Sequence, residues 1–150
     1  MTVQAESHET RKRWLAVLAR APREQLEHAV SRSDAPPHAL VRAPECGMLM
    51  LRGRVGGTGD AFNFGEATVT RCAARIADFL GVGYVLGRDR RHAELVAVLD
   101  ALLQDPARQP RLLAEVVEPL AREQEAARTA RSREAAASRV EFFTMVRGEA

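Results

Sequence analysis

Between His38 and Gly87 the chain carries a row of β-favouring runs joined by short connections. Parallel neighbours need crossovers of about a dozen residues or more, so runs this closely spaced can form only an antiparallel sheet. They read as HALVRA (38–43), GMLMLRGRVGG (47–57), FGEATVTRCAARIADF (64–79) and GVGYVLG (81–87), about four strands. Pro44-Glu45-Cys46-Gly47 reads as the turn between the first two. In the second run Leu51 and Val55 oppose Arg52 and Arg54. In the third, Ala67, Val69 and Arg71 share one face, and Glu66, Thr68, Thr70 and Cys72 the other.

A half-apolar sheet needs a covering layer. The segment after it, RDRRHAELVAVLDALLQD, supplies a helix with Leu95, Leu99 and Leu102, flanked by Val96 and Leu103, in one stripe. Asp89 is its natural N-cap. Ahead of the sheet, Ser7 reads as the cap of a helix carrying Trp14, Leu15, Val17 and Leu18, stopped by Pro22. A second short helix follows, with Leu26, Ala29 and Val30 inward. Past Pro110, RLLAEVVEPLA starts another helix, bent or ended near Pro119. AREQEAARTARSREAAASR then has high helix propensity and no large apolar side chain. A helix polar all round projects into solvent or lies on another protein. Val140, Phe142, Phe143, Met145 and Val146 crowd the tail, which either folds back over its own sheet or reaches a partner chain. The expectation is an α+β fold: an antiparallel sheet of about four strands packed by helices, with a helical C-terminal arm. Residues 1–150 make one domain, with N-terminal helices (1–37), sheet plus helix (38–104), and arm with tail (105–150).

Composition narrows the function classes. No run of eighteen apolar residues exists, and no apolar segment follows the charges of the first residues, so a cytoplasmic protein is expected. Cys46 and Cys72 are too few for a disulfide framework and lack metal-ligand spacing; both are expected to be buried or half-buried. His8, His28, His38 and His92 share no ligand spacing. A net charge of +2, with acids interspersed among the arginines, argues against a nucleic-acid module.

Two stretches invite chemistry. RVGGTGDAFNFGEATVTR holds Gly56, Gly57, Gly59 and Gly65, but Asp60-Ala61-Phe62 follows where a phosphate loop needs lysine and a hydroxyl. No helix follows either, as a dinucleotide fingerprint requires. A wide hairpin turn with positive-φ glycines is the plain reading. Phe62 and Phe64, flanked by Arg52 and Arg54, make it a contact surface. In LGRDRRHAE, Arg88, Arg90 and Arg91 stand at a helix start, where cations oppose the dipole and an anion would offset them. No nucleophile, metal set or acid–base pair stands out, so no catalytic residue is assigned. A stand-alone anion-binding enzyme acting on a phosphorylated substrate, with Arg52, Arg54, Arg88, Arg90 and Arg91 as its site, is the alternative.

GGTGDAFNFGEATVTRCAARI, GYVLGRDRRHAELVAVLDALLQ, SRVEFFTMVRGE and the opening RKRWLAVLARAP together resemble the PhnG family, in the same order and over nearly the whole chain. The stretch from Ala121 to Ala137 is the least similar. The resemblance implies a bacterial subunit of the carbon–phosphorus lyase core, assembled with PhnH-, PhnI- and PhnJ-like subunits, with PhnK- and PhnL-like proteins as further partners. In that system a phosphonate displaces adenine from ATP to give α-D-ribose 1-methylphosphonate 5-triphosphate. The nucleosidase-type step is attributed to PhnI, helped by PhnG, PhnH and the separate PhnL, and radical cleavage to PhnJ with its iron–sulfur cluster and S-adenosylmethionine. The implied role here is accessory: no cofactor is expected on this chain, ATP is a substrate of the complex, and the chain alone is not expected to be catalytic. The expected anion or partner contacts are Arg52, Arg54, Phe62, Phe64, Arg88, Arg90, Arg91, Phe142 and Phe143.

Overall fold

The sheet has three antiparallel strands in the order β1-β2-β3: β1 is Ala39–Arg54, β2 Ala61–Ile76 and β3 Phe79–Leu86. A computed structural model describes the backbone of residues 2–138 and the side chains of residues 8–138. The α+β class and the antiparallel sheet stand. The runs 38–43 and 47–57, however, are one strand, because β1 continues through Pro44-Glu45-Cys46-Gly47 without turning. β1 is an edge strand, where proline's missing N–H leaves no ladder bond unmade. Register shifts on either side of Arg42 absorb the irregularity. Glu45 then accepts from Arg42 at 2.8 Å and from Arg71 of β2 at 2.7 Å, pinning the stretch to its neighbour.

The helices lie on one face. α3 (Arg90–Gln104) lies directly on β2 and β3, and its buried residues run from Ala93 to Leu103 with the exception of Glu94. Small residues make the close approach possible. A methyl group at Gly81 would collide with the Ala97 carbonyl, and one at Gly83 with that of Ala93. Glycines two apart on the strand thus meet alanines four apart on the helix, at positions 93, 97 and 101. From β2, Thr70, Cys72, Ala74 and Ile76 face the same layer and are buried. Thr70 Oγ1 donates to the Gly87 carbonyl at 2.7 Å, and the Gly87 amide donates to the Thr68 carbonyl at 2.8 Å.

α1 (Thr2–Leu18) crosses α3 antiparallel, held by a carboxylate with no solvent exposure. Asp100 accepts from Arg11 Nε at 3.1 Å, Arg11 Nη2 at 2.6 Å, Trp14 Nε1 at 2.8 Å and the Val82 amide at 2.9 Å. Arg11 and Gln104 also donate to the Leu80 carbonyl, so these side chains cover part of the free edge of β3. Ser7 lies inside α1 rather than capping it, since the preceding residues continue the helix. α2 (Arg23–Arg32) buries Leu26 and packs on α3.

Pro119 does not end the last helix. α4 (Gln109–Leu112) passes through a π-helical segment, Leu113–Val117, into α5 (Glu118–Ala137). A widened turn accommodates a ring that would otherwise meet a carbonyl four residues back, and Pro119 sits in the first turn of α5. As its composition suggests, α5 is exposed on all sides beyond Gln124.

Candidate functional site: a projecting hairpin and an open sheet face

β1 and β2 outrun β3. The β2–β3 ladder stops at Val69↔Leu86, while β2 pairs with β1 as far as Arg54↔Ala61. At roughly 3.3 Å per residue, the unshared part of the hairpin extends on the order of 25 Å. Its turn is Val55–Gly57, with Gly56 at φ 59° and Gly57 at φ 84°. Gly59 N donates to the Val55 carbonyl at 2.8 Å, and Arg54 Nη1 to the Gly59 carbonyl at 3.1 Å. The glycine-rich stretch is therefore a hairpin turn.

Large apolar side chains stand bare along this hairpin: Met48 is 67% exposed, Phe64 58%, Met50 53%, Leu49 50% and Phe62 46%. Their faces follow from alternation. Cys46 Sγ meets Thr70 Oγ1 at 3.4 Å on the helix-side face, which puts Met48 and Met50 on that face and Leu49, Leu51 and Gly53 on the other. The Phe64 ring lies over Gly53, which pairs with Phe62, and the two rings are 6.1 Å apart at 57°. Phe62 and Phe64 thus share the outer face with Leu80, Tyr84 and Leu86, all at least 40% exposed. No described helix packs on that face. A two-stranded ribbon alone in water is marginal at best, and this one carries bare methionines and phenylalanines as well.

A second projection leaves the same end of the molecule. Trp14 of α1 sits at Asp100, and the Leu18 carbonyl meets His92 Nε2 at 3.2 Å, near the start of α3. Along α1, Arg13 binds Glu118 at 2.8 Å and the Val17 carbonyl accepts from Gln124 at 2.9 Å, so α5 runs parallel to α1. It leaves the body toward the start of α3, where β3 ends and the hairpin begins. Its free length from Gln124 is on the order of 20 Å. Phe142 and Phe143 lie outside the described residues.

The five arginines do not converge. Arg52 and Arg54 pair with Asn63 and Ala61 near the hairpin tip, whereas Arg88, Arg90 and Arg91 stand near its root. Six residue steps of strand, from Cys46 beside Arg90 to Arg52, separate the groups by roughly 20 Å. The anions that the helix start calls for come from the chain itself. Asp89 caps α3 by accepting the His92 amide at 2.9 Å. That bond, helped by Arg23 and His92 against partial desolvation, holds its carboxyl below the ordinary value. Arg91 pairs with Glu94 at 3.1 Å and Glu27 at 3.8 Å.

The cysteines differ. Cys72 is buried, and desolvation, aided by Glu94, pushes its thiol up. Cys46 is exposed, against expectation, because α3 begins where β1 is already bare; its bond with Thr70, then Arg90 and Arg88, holds its thiol down. No cluster of three or more metal-ligating side chains occurs among the described residues. A groove of about 670 Å³ between α2 and the α4–α5 helix, unmarked in the sequence, has Ala29, Leu112 and Val116 among its lining. At its rim Arg111 pairs with Glu115, and Arg108 donates to the Ser33 and Asp34 carbonyls. No sequence motif marked Met48 and Met50, although their two-residue spacing beside the glycine turn was the available signal.

No described helix is long and apolar enough to cross a membrane. Residues 9–148 match the family model "Phosphonate metabolism protein PhnG". The chain is similar to a protein of Rhizobium meliloti (strain 1021) named "Alpha-D-ribose 1-methylphosphonate 5-triphosphate synthase subunit PhnG". The two are 43% identical over 141 residues, which cover 93% of this chain and 90% of that relative.

Proposed function

The chain belongs to the PhnG family of phosphonate metabolism proteins, and from that premise we propose that it is an accessory subunit of a phosphonate ribose-triphosphate synthase within a carbon–phosphorus lyase core. The complex attaches a phosphonate to ribose 5-triphosphate at the expense of adenine, with ATP as its substrate. This chain shapes and holds the assembly in the cytoplasm, binds no cofactor of its own, and joins PhnH-, PhnI- and PhnJ-like subunits. The observation that carries the reading is the bare hairpin, an element that neither its own core nor water stabilises well. Arg52, Arg54, Phe62 and Phe64 are its proposed contacts, with Arg88 and Arg90 at its root and Phe142 and Phe143 beyond α5. Arg91 stands with them at the root, beside Glu27 and Glu94.

The stand-alone enzyme loses its basis with the separation of its arginines. Adenine release from ATP and methylphosphonate tests the choice: the purified chain alone should release none, and the reconstituted subunits should. Release that persists after rigorous removal of the other subunits would overturn the accessory reading.

A further inference from the structure

The exposed side chains of the hairpin are only half of what it leaves open; its backbone is open as well. β2 pairs with β1 along its length, but the row on its other side ends where β3 does, leaving Ala61–Ala67 without a neighbouring strand among the described residues. The direction of each backbone group follows from one bond. The Thr68 carbonyl accepts from Gly87, so Thr68 turns its polar groups toward the β3 row. Alternation turns Glu66 the same way, and Gly65 and Ala67 toward β1. The Glu66 N–H and C=O therefore point into the vacated row. Natural edges are blunted by proline, lysine or inward charges. Along AFNFGEA the only such device besides an irregularity at Phe64 is Glu66, a single negative charge on the helix-side face.

Resting on the reading of this chain as an assembly subunit, we propose that a partner subunit lays an extended segment into this row, extending the line of β3 along the hairpin. Main-chain bonds to Glu66 hold the segment. Its outward side chains are apolar, to sit beside Phe62 and Leu86, and a basic side chain faces Glu66 across the strands.

Substitution at one amide separates this from simple side-chain contact. Glu66→Pro removes an N–H that β1 does not use, whereas Glu66→Ala keeps it. Co-assembly with the PhnH-, PhnI- and PhnJ-like subunits should weaken by about tenfold or more in Glu66→Pro, the loss of a main-chain bond together with a blocked strand. In Glu66→Ala it should weaken by less than about threefold, as for an exposed charge pair. Hydrogen exchange at the wild-type Glu66 amide, which does not depend on the variant folding, should slow by on the order of a hundredfold on assembly. Equal losses in the two variants, or unchanged exchange at that amide, overturn the strand addition. Protection already present in the isolated chain and lost on truncation after Ser138 would make the chain's own tail the occupant, which also overturns it. If Phe62→Ala with Phe64→Ala breaks assembly while Glu66→Pro does not, strand addition falls and the subunit reading stands; adenine release by the chain alone would sink that reading separately.

Discussion

The same two strands live in two environments. From Thr70 to Ile76, β2 lies under α3 between β1 and β3, and the side chains facing the helix, Thr70, Cys72, Ala74 and Ile76, are all buried, with glycines beside them on β3. From Ala61 to Ala67 it has β1 alone among the described residues, and there the hairpin carries Met48, Met50, Phe62 and Phe64. Four large apolar side chains thus stand where no described element of this chain covers them. At roughly 1.5–3 kcal/mol for each such side chain fully buried, a covering partner gains several kcal/mol that the isolated domain forgoes. Stability resides at the base, and the proposed contacts lie on the arm.

Three substitutions can break or sharpen that division. Asp100→Ala should have the largest effect on the isolated chain. It takes the carboxylate from Arg11 and strands the Trp14 indole N–H and the Val82 amide, and removing one partner of a buried ion pair costs about 3–5 kcal/mol. Thermal melts read it directly, and a variant that melts like the wild type would remove the base as the seat of stability. Phe62→Ala with Phe64→Ala should do the reverse. Assembly should weaken by about 1–4 kcal/mol in binding titrations, with little change in the melt of the isolated chain. A melt depressed as far as that of Asp100→Ala would make the rings part of the core and erase the contrast.

The smallest effect lies at the junction of the two regions. Asp89→Ala removes the cap of α3, worth about 0.5–2 kcal/mol at neutral pH. The folded state holds this carboxyl below its ordinary 3.8, so on acidification the unfolded chain takes up the proton first. The stabilisation is complete above that ordinary value and is lost as the pH falls through the lowered one. Urea melts should therefore separate wild type from variant at pH 7 and bring them together progressively as the pH falls through the lowered value. A gap that persists in acid would mean that the carboxylate's charge plays no part.

Periodicity carries far in this sequence. The leucine stripe of α3, its Asp89 cap and the glycine hairpin were all legible, because each depends on neighbours within a few residues. What escaped depends on distant ones. Asp100 reads as an ordinary polar break in an apolar helix, since its partners Arg11 and Trp14 stand more than eighty residues away. Pro44 and Pro119 read as breaks. An edge position rescues the first, and a widened helical turn the second. Of the candidate site, the exposure of Phe62 and Phe64 was legible from their place beside the turn. The arginines were not, because closeness in sequence to the glycines or to α3 says nothing of the length of strand between them. The alanine spacing of four and glycine spacing of two were available, and together they specify that α3 lies on β3.

Thr70 stands where the covered part of the sheet gives way to the bare part. Mechanically, the hairpin is a cantilever and Thr70 is built into its wall: the hydroxyl grips the Gly87 carbonyl, and the Gly87 amide grips Thr68 from the opposite side. A beam clamped at its root passes load applied at the tip into its mounting rather than folding there. Displacement imposed on Phe62 or Phe64 would then reach the start of α3 through Gly87, Arg88 and Asp89, so the helix and the ribbon would tilt together as one stiff piece.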